Sequence, residues 1–167
     1  MGGTGWSYFT PFNESPDVAL QALRNNVFAS GEYGMTHQFT DEALAGAPAE
    51  LKKIMGQLRE MESGRIGDRS RYKSIKDLRE ACGENGTHSI LDIERTSEQS
   101  EPFTAWPADA SSIQEVYGTD RPSRSEIEAK PDELSELLEV PRWEAVYLTV
   151  FKDGKPFEIY FEGSSGD

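Results

Sequence analysis

VYLTVFKDGKPFEIYF, residues 146–161, is the stretch whose reading decides the fold. Two runs of β-branched and aromatic residues flank Asp153-Gly154, a pair that tolerates the positive φ angles a two-residue type I′ turn requires. The pattern predicts an antiparallel β-hairpin. With a two-residue turn, Val150 is expected opposite Phe157, Leu148 opposite Ile159 and Val146 opposite Phe161, which gathers six large apolar side chains on one side of the sheet. Tyr147 with Tyr160, and Thr149 with Glu158, fall on the other side. One apolar face then needs a cover, and the rest of the chain has to supply it.

Several segments upstream read as helices. Ser15 is a good N-cap, Pro16 suits the first helical position, and Leu20, Leu23 and Val27 recur at helical spacing before Gly31, so a helix is expected over 16–30. A second runs from about Asp41 to Met61 behind Thr40, with Gly46 and Pro48 breaking its first turn and Leu51, Ile54, Met55 and Leu58 as its apolar stripe. Ser74 with Asp77 resembles a capping box, and Ile75, Leu78 and Cys82 share one face before Gly83, which makes Cys82 a core residue. Ser112 with Glu115 and Ser123 with Glu126 give two further capping boxes, and Pro131 is placed to start a last helix through Leu138.

Strands are expected at WSYFTPF, residues 6–12, where Pro11 confines the strand to an edge or ends it, and at THSILDIE, residues 87–94, where polar and apolar residues alternate. Residues 95–111 are rich in Ser, Glu, Pro and Ala and read as a surface connection pinned by Phe103 and Trp106. The order strand, helices, strand, helices, hairpin defines an α+β fold: a mixed or antiparallel sheet of at least four strands packed against several helices. At 167 residues it is expected to be one domain, 1–167, long enough to bury roughly 70% of its unfolded surface.

Composition narrows the function. Net charge is −13, which disfavours nucleic acid and anionic membranes as partners because polyanions need a basic surface. There is one cysteine, and no apolar run approaches the roughly 20 residues of a membrane span. The start MGGTGWSYF lacks a basic region followed by an apolar segment, so a cytoplasmic setting is expected. Trp6 stands where myristoylation wants Ser or Thr, and without secretion Asn13-Glu14-Ser15 and Asn85-Gly86-Thr87 are chance glycosylation patterns. No nucleotide loop, zinc spacing, calcium loop or nucleophile elbow is present, and no cofactor or metal is expected.

Two groups of residues remain. On a strand over 87–94, His88, Ile90 and Asp92 would share one face, with His88 and Asp92 about 13 Å apart. They could line a cleft, His88 as acid or base and Asp92 as its electrostatic partner, or simply belong to a half-buried strand. GRIGDRSRYK, residues 64–73, concentrates basic charge on an expected loop, and residues 52–79 carry +5 against −18 elsewhere. Arg65, Arg69, Arg71 and Lys73, with Tyr72, could hold an anion between the flexing points Gly64 and Gly67, or merely neutralise surface carboxylates. Trp6, Tyr8 and Phe12 could form half of a ligand pocket, or core and edge. The acidic helix residues Glu126, Glu128, Asp132, Glu133 and Glu136 could meet a basic partner, or face solvent.

MGGTGWSYF, GTHSILDIE and KDGKPFEIYFEG also resemble blocks of a family of uncharacterised small soluble bacterial proteins of similar length. The resemblance implies a bacterial, whole-chain domain and carries no activity or site residue with it. The reading that follows is an acidic cytoplasmic binding protein recognising a protein partner, such as a basic toxin in the manner of an immunity protein. The alternative is an enzyme acting on an anionic small molecule.

Overall fold

The structure, a computed structural model, describes residues 4–34, 44–66 and 71–165. Strand β1 (Thr4–Pro11) leads into helix α1 (Pro16–Ser30), whose ends follow from local chemistry. The Ser15 side chain accepts from the Val18 amide, Pro16 stands at the start, and Gly31 at φ 72° closes the helix by donating its amide to the Val27 carbonyl. Helices α2 (Ala49–Ile66) and α3 (Ile75–Cys82) come next, then a 3₁₀ turn over Ile90–Asp92. Short parallel strands β2 (Arg95–Thr96) and β3 (Thr104–Pro107) are followed by α4 (Ala110–Tyr117), α5 (Arg124–Glu128) and α6 (Glu133–Leu137). The hairpin β4 (Glu144–Lys152) and β5 (Lys155–Ser165) ends the chain.

The strands form one mixed sheet in the order β1-β5-β4-β3-β2, antiparallel from β1 to β4 and parallel from β4 to β2. The α+β class, the hairpin and the edge position of β1 are as the sequence predicts. Asp153 and Gly154 both have positive φ, 51° and 73°, as the type I′ turn requires.

The expected register holds only at the tip. Lys152 faces Lys155 and Phe151 faces Pro156, but Val150 faces Glu158, so Phe157 is an extra residue on β5. Pro156 has no amide to give the ladder, and the bulge beside it passes the Phe157 carbonyl to the Phe12 amide at 3.1 Å. Phe157 is left 48% exposed. Because side chains alternate with period two, this one residue separates the expected apolar set onto two faces.

Val146, Leu148 and Val150 point with Tyr160 into a core built with Ile113, Val116 and Tyr117 of α4, Ile127 of α5 and Leu134 of α6. Ile159 and Phe161 point the other way, with Trp6, Ala105 and Ala145, into a core covered by Ala19, Leu20, Leu23 and Val27 of α1, Leu78 of α3 and Ile90, Leu91 and Ile93. The sheet is therefore buried on both faces. Gly163 makes the second packing possible: a Cβ there would lie 2.5 Å from the Glu144 carbonyl oxygen and 2.9 Å from the Trp6 ring. Two acids sit in the strands with partners already supplied. Glu162 accepts from the Tyr160 hydroxyl at 2.7 Å and the Ser135 amide at 2.6 Å, and Glu144 accepts from Ser100 and from the Trp106 indole.

Other expectations need correcting. Residues 95–111 hold β2 and β3, whose few residues are too short to show alternation. The helix after them is capped by Asp109, whose carboxylate accepts from the Ser112 amide, one turn before the expected Ser112. The Ser123–Glu126 capping box is present in both directions. Pro131 precedes α6 without belonging to it. Cys82 is half-buried at the margin of the core. Among the described side chains of α2, Met55 is buried while Leu51 and Ile54 are exposed, and the helix runs on through Ile66, so the first residues of the basic stretch are helical and not a loop.

Candidate functional site

THSILDIE is not a strand. Its backbone bends at His88, which has φ 51°, and closes the 3₁₀ turn after the Ser89 side chain accepts from the Leu91 amide. Every residue from Thr87 to Ile93 is buried, with no exposed alternate face. His88 is only 4% exposed, which overturns the expectation of an accessible histidine beside a cleft. Asp92 lies at the centre of the segment. Its carboxylate accepts from the Thr87 amide at 2.9 and 3.0 Å and from the Ser165 hydroxyl at 2.7 Å, and Ser165 in turn accepts from the Trp6 indole at 3.0 Å. This chain of bonds joins both ends of the sequence to its middle and gives a buried anion the donors it needs. Beside it, burial pushes the Tyr8 phenol up, so that hydroxyl stays neutral across the physiological range.

Asp92 also forms part of the floor of a cleft of about 780 Å³, within the range of small-ligand sites. Lys76, Arg79 and Glu80 come from α3, Gly83, Glu84 and Gly86 from the turn after it, and Glu94, Phe103 and Trp143 from residues just before β2, β3 and β4. Phe103 and Trp143 have φ of 63° and 67°, unusual for bulky residues and a cost of about 1–2 kcal/mol each. Their backbones still extend the sheet, since Glu94 donates to Phe103, Phe103 to Trp143 and Trp143 to the Ser164 carbonyl at 2.7–3.0 Å. The two rings meet with centroids 5.8 Å apart, a continuous aromatic wall. Such local strain is concentrated where side chains must be aimed.

Gly86 brings wall and floor together. At φ 72° and ψ −178° it occupies a region open essentially to glycine, and a Cβ would lie 2.5 Å from the Trp143 ring and 2.9 Å from Asp92 Oδ2. Gly86→Ala should therefore cost at least about 2 kcal/mol. Urea unfolding measures it; a loss below about 0.5 kcal/mol would contradict this packing.

The cations of the cleft are already matched. Arg79 lies 2.5 Å from Glu94 with its guanidinium 5.4 Å from the centre of the Phe103 ring, and Lys76 lies 3.8 Å from Glu80. Among the described residues, Asp92 and Glu84 have no cationic partner in an ion pair. The cleft thus presents aromatic surface and an excess of carboxylates over cations.

The remaining sequence candidates are not gathered here. Arg71 turns onto its neighbour Tyr72, donating to the hydroxyl at 2.5 Å with the guanidinium 4.8 Å from the ring centre. Lys73 is exposed, and none of these three lines the cleft. The side chain of Arg65, in the last turn of α2, and all of Arg69 lie outside the described residues. Trp6 and Tyr8 are core and Phe12 is edge. Of the acidic helix residues, Glu126 serves the cap, where the Ser123 hydroxyl and amide hold its carboxyl below the usual range, and Glu128 binds Arg124. Sequence reasoning does not mark Arg79, Glu84, Gly86, Phe103 or Trp143 as site residues, Phe103 being read only as a pin for a surface connection; the Asn85-Gly86 pair is the one local signal, as a turn needing positive φ.

Comparison with family models, with curated proteins and with solved structures finds no match to this chain. Among the described residues no helix is long and apolar enough to cross a membrane.

Proposed function

We propose that this chain is an acidic binding protein whose partner is a basic protein. One observation carries the reading: the cleft between α3 and the β2–β4 strand ends is lined by four carboxylates against two cations, and among the described residues exposed Glu84 is in no ion pair with either cation. A ligand there meets a negative field, which favours a cation over the anionic small molecule considered from sequence. The net charge of −13 acts in the same sense at long range, drawing a basic protein in and repelling polyanions. The encounter is proposed for the cytoplasm, which suits a chain whose one cysteine allows no internal disulfide.

The test is cross-linking in the native cell, followed by reconstitution with purified components. The expected partner has a basic surface and forms a stoichiometric complex whose dissociation constant rises steeply with salt. An acidic partner, or a complex indifferent to salt, would contradict the reading.

A further inference from the structure

Resting on the basic-partner reading, we infer that the cleft receives one arginine side chain of that partner, its guanidinium lying on the indole of Trp143. The molecule already contains this arrangement once. Arg79 lies over Phe103 and pairs with Glu94, so an aromatic face and a carboxylate hold a guanidinium between them. Directly beside it, Trp143 offers a second aromatic face, close to the buried Asp92 carboxylate and in the same cleft as exposed Glu84, and among the described residues no cation lies over Trp143.

Three physical points favour an arginine. Indole has the strongest cation-attracting face of the aromatic side chains. Guanidinium is planar and weakly hydrated, so it stacks on a ring at a smaller desolvation cost than a compact ammonium. Asp92 is 1% exposed and close to the Trp143 ring, each meeting a Cβ built on Gly86, so its charge would act through a low-dielectric interior, while exposed Glu84 offers a direct hydrogen-bond acceptor on the cleft wall. The carboxylate of Asp92 is held in place by Thr87 and Ser165, so its charge is pre-positioned before any ligand arrives.

The experiment is calorimetric titration of the whole chain with N-acetyl-arginine amide, its uncharged isostere N-acetyl-citrulline amide, and N-acetyl-lysine amide. The arginine compound is expected to bind one to one, and the citrulline compound at least about tenfold more weakly. Trp143→Leu, which keeps apolar bulk and removes the indole, should weaken the arginine compound by about threefold to thirtyfold. Glu84→Gln, at an exposed position, tests the charge independently of folding and should weaken it as well. Equal binding of arginine and citrulline, equal binding of arginine and lysine, or wild-type affinity in Trp143→Leu would each overturn the inference.

Competition separates the inference from the reading beneath it. A reconstituted complex with a basic protein that the arginine compound neither enters nor displaces leaves the partner standing and removes the cleft as its anchor. Arginine binding by the cleft in a chain whose cross-linked partner proves acidic removes the partner and leaves the site.

Discussion

Phe161→Ala should destabilise the protein by about 3–5 kcal/mol, the cost of removing a fully buried phenylalanine. Phe161 is 0% exposed, packs its ring 5.6 Å from that of Tyr147, and stands in register with Tyr8 on β1 and Tyr147 on β4. Against a total of about 5–15 kcal/mol for a domain, the variant retains only a fraction of its stability, and each kcal/mol lowers the thermal midpoint by roughly 2–4 °C. A second variant tests the register itself. Leu148→Ala, expected to cost about 2–5 kcal/mol, opens a cavity in the other core. Because the two side chains lie on opposite faces, the double variant should equal the sum within about 0.5 kcal/mol. Coupling well above that in urea unfolding would return both to one face and contradict the bulge at Phe157.

Asp92→Ala should cost about 2–5 kcal/mol for a different reason. It leaves the buried Thr87 amide without its acceptor and releases the Ser165 hydroxyl that receives the Trp6 indole, with each orphaned group costing about 1–3 kcal/mol. Asp92→Asn keeps the shape and one acceptor, so it should lose only about 1 kcal/mol. The pair of variants separates shape from charge. Urea unfolding gives the two losses, and near-ultraviolet circular dichroism reports whether Trp6 keeps its environment. Equal losses would mean that the carboxylate does not organise this segment.

His88 and Asp92 show how far the candidate site could be read in advance. Both were singled out from an alternating pattern, but alternation over eight residues fits a buried irregular segment as well as a strand. What distinguishes them is the pairing of Asp92 with Ser165, 73 residues away, and of Ser165 with Trp6, 159 residues away. No local window contains those contacts. Phe103 and Trp143 were hidden by the same limit, since each is an isolated aromatic in a polar stretch until the parallel pairing of β3 and β4 places their rings side by side.

What the sequence by itself determined are the features whose energetics are local. These are the limits of α1, set by Ser15, Pro16 and Gly31; the Ser123–Glu126 capping box; the Asp153-Gly154 turn; and the excess of negative charge. Each depends on groups within a few residues of one another. The tertiary structure alone decided that the sheet is covered on both faces, that Phe157 is the bulged residue, and that Arg71, Tyr72 and Lys73 do not line the cleft. Those outcomes depend on which surfaces meet after the chain closes loops of many residues, and a one-residue shift in pairing reverses the face of every side chain beyond it.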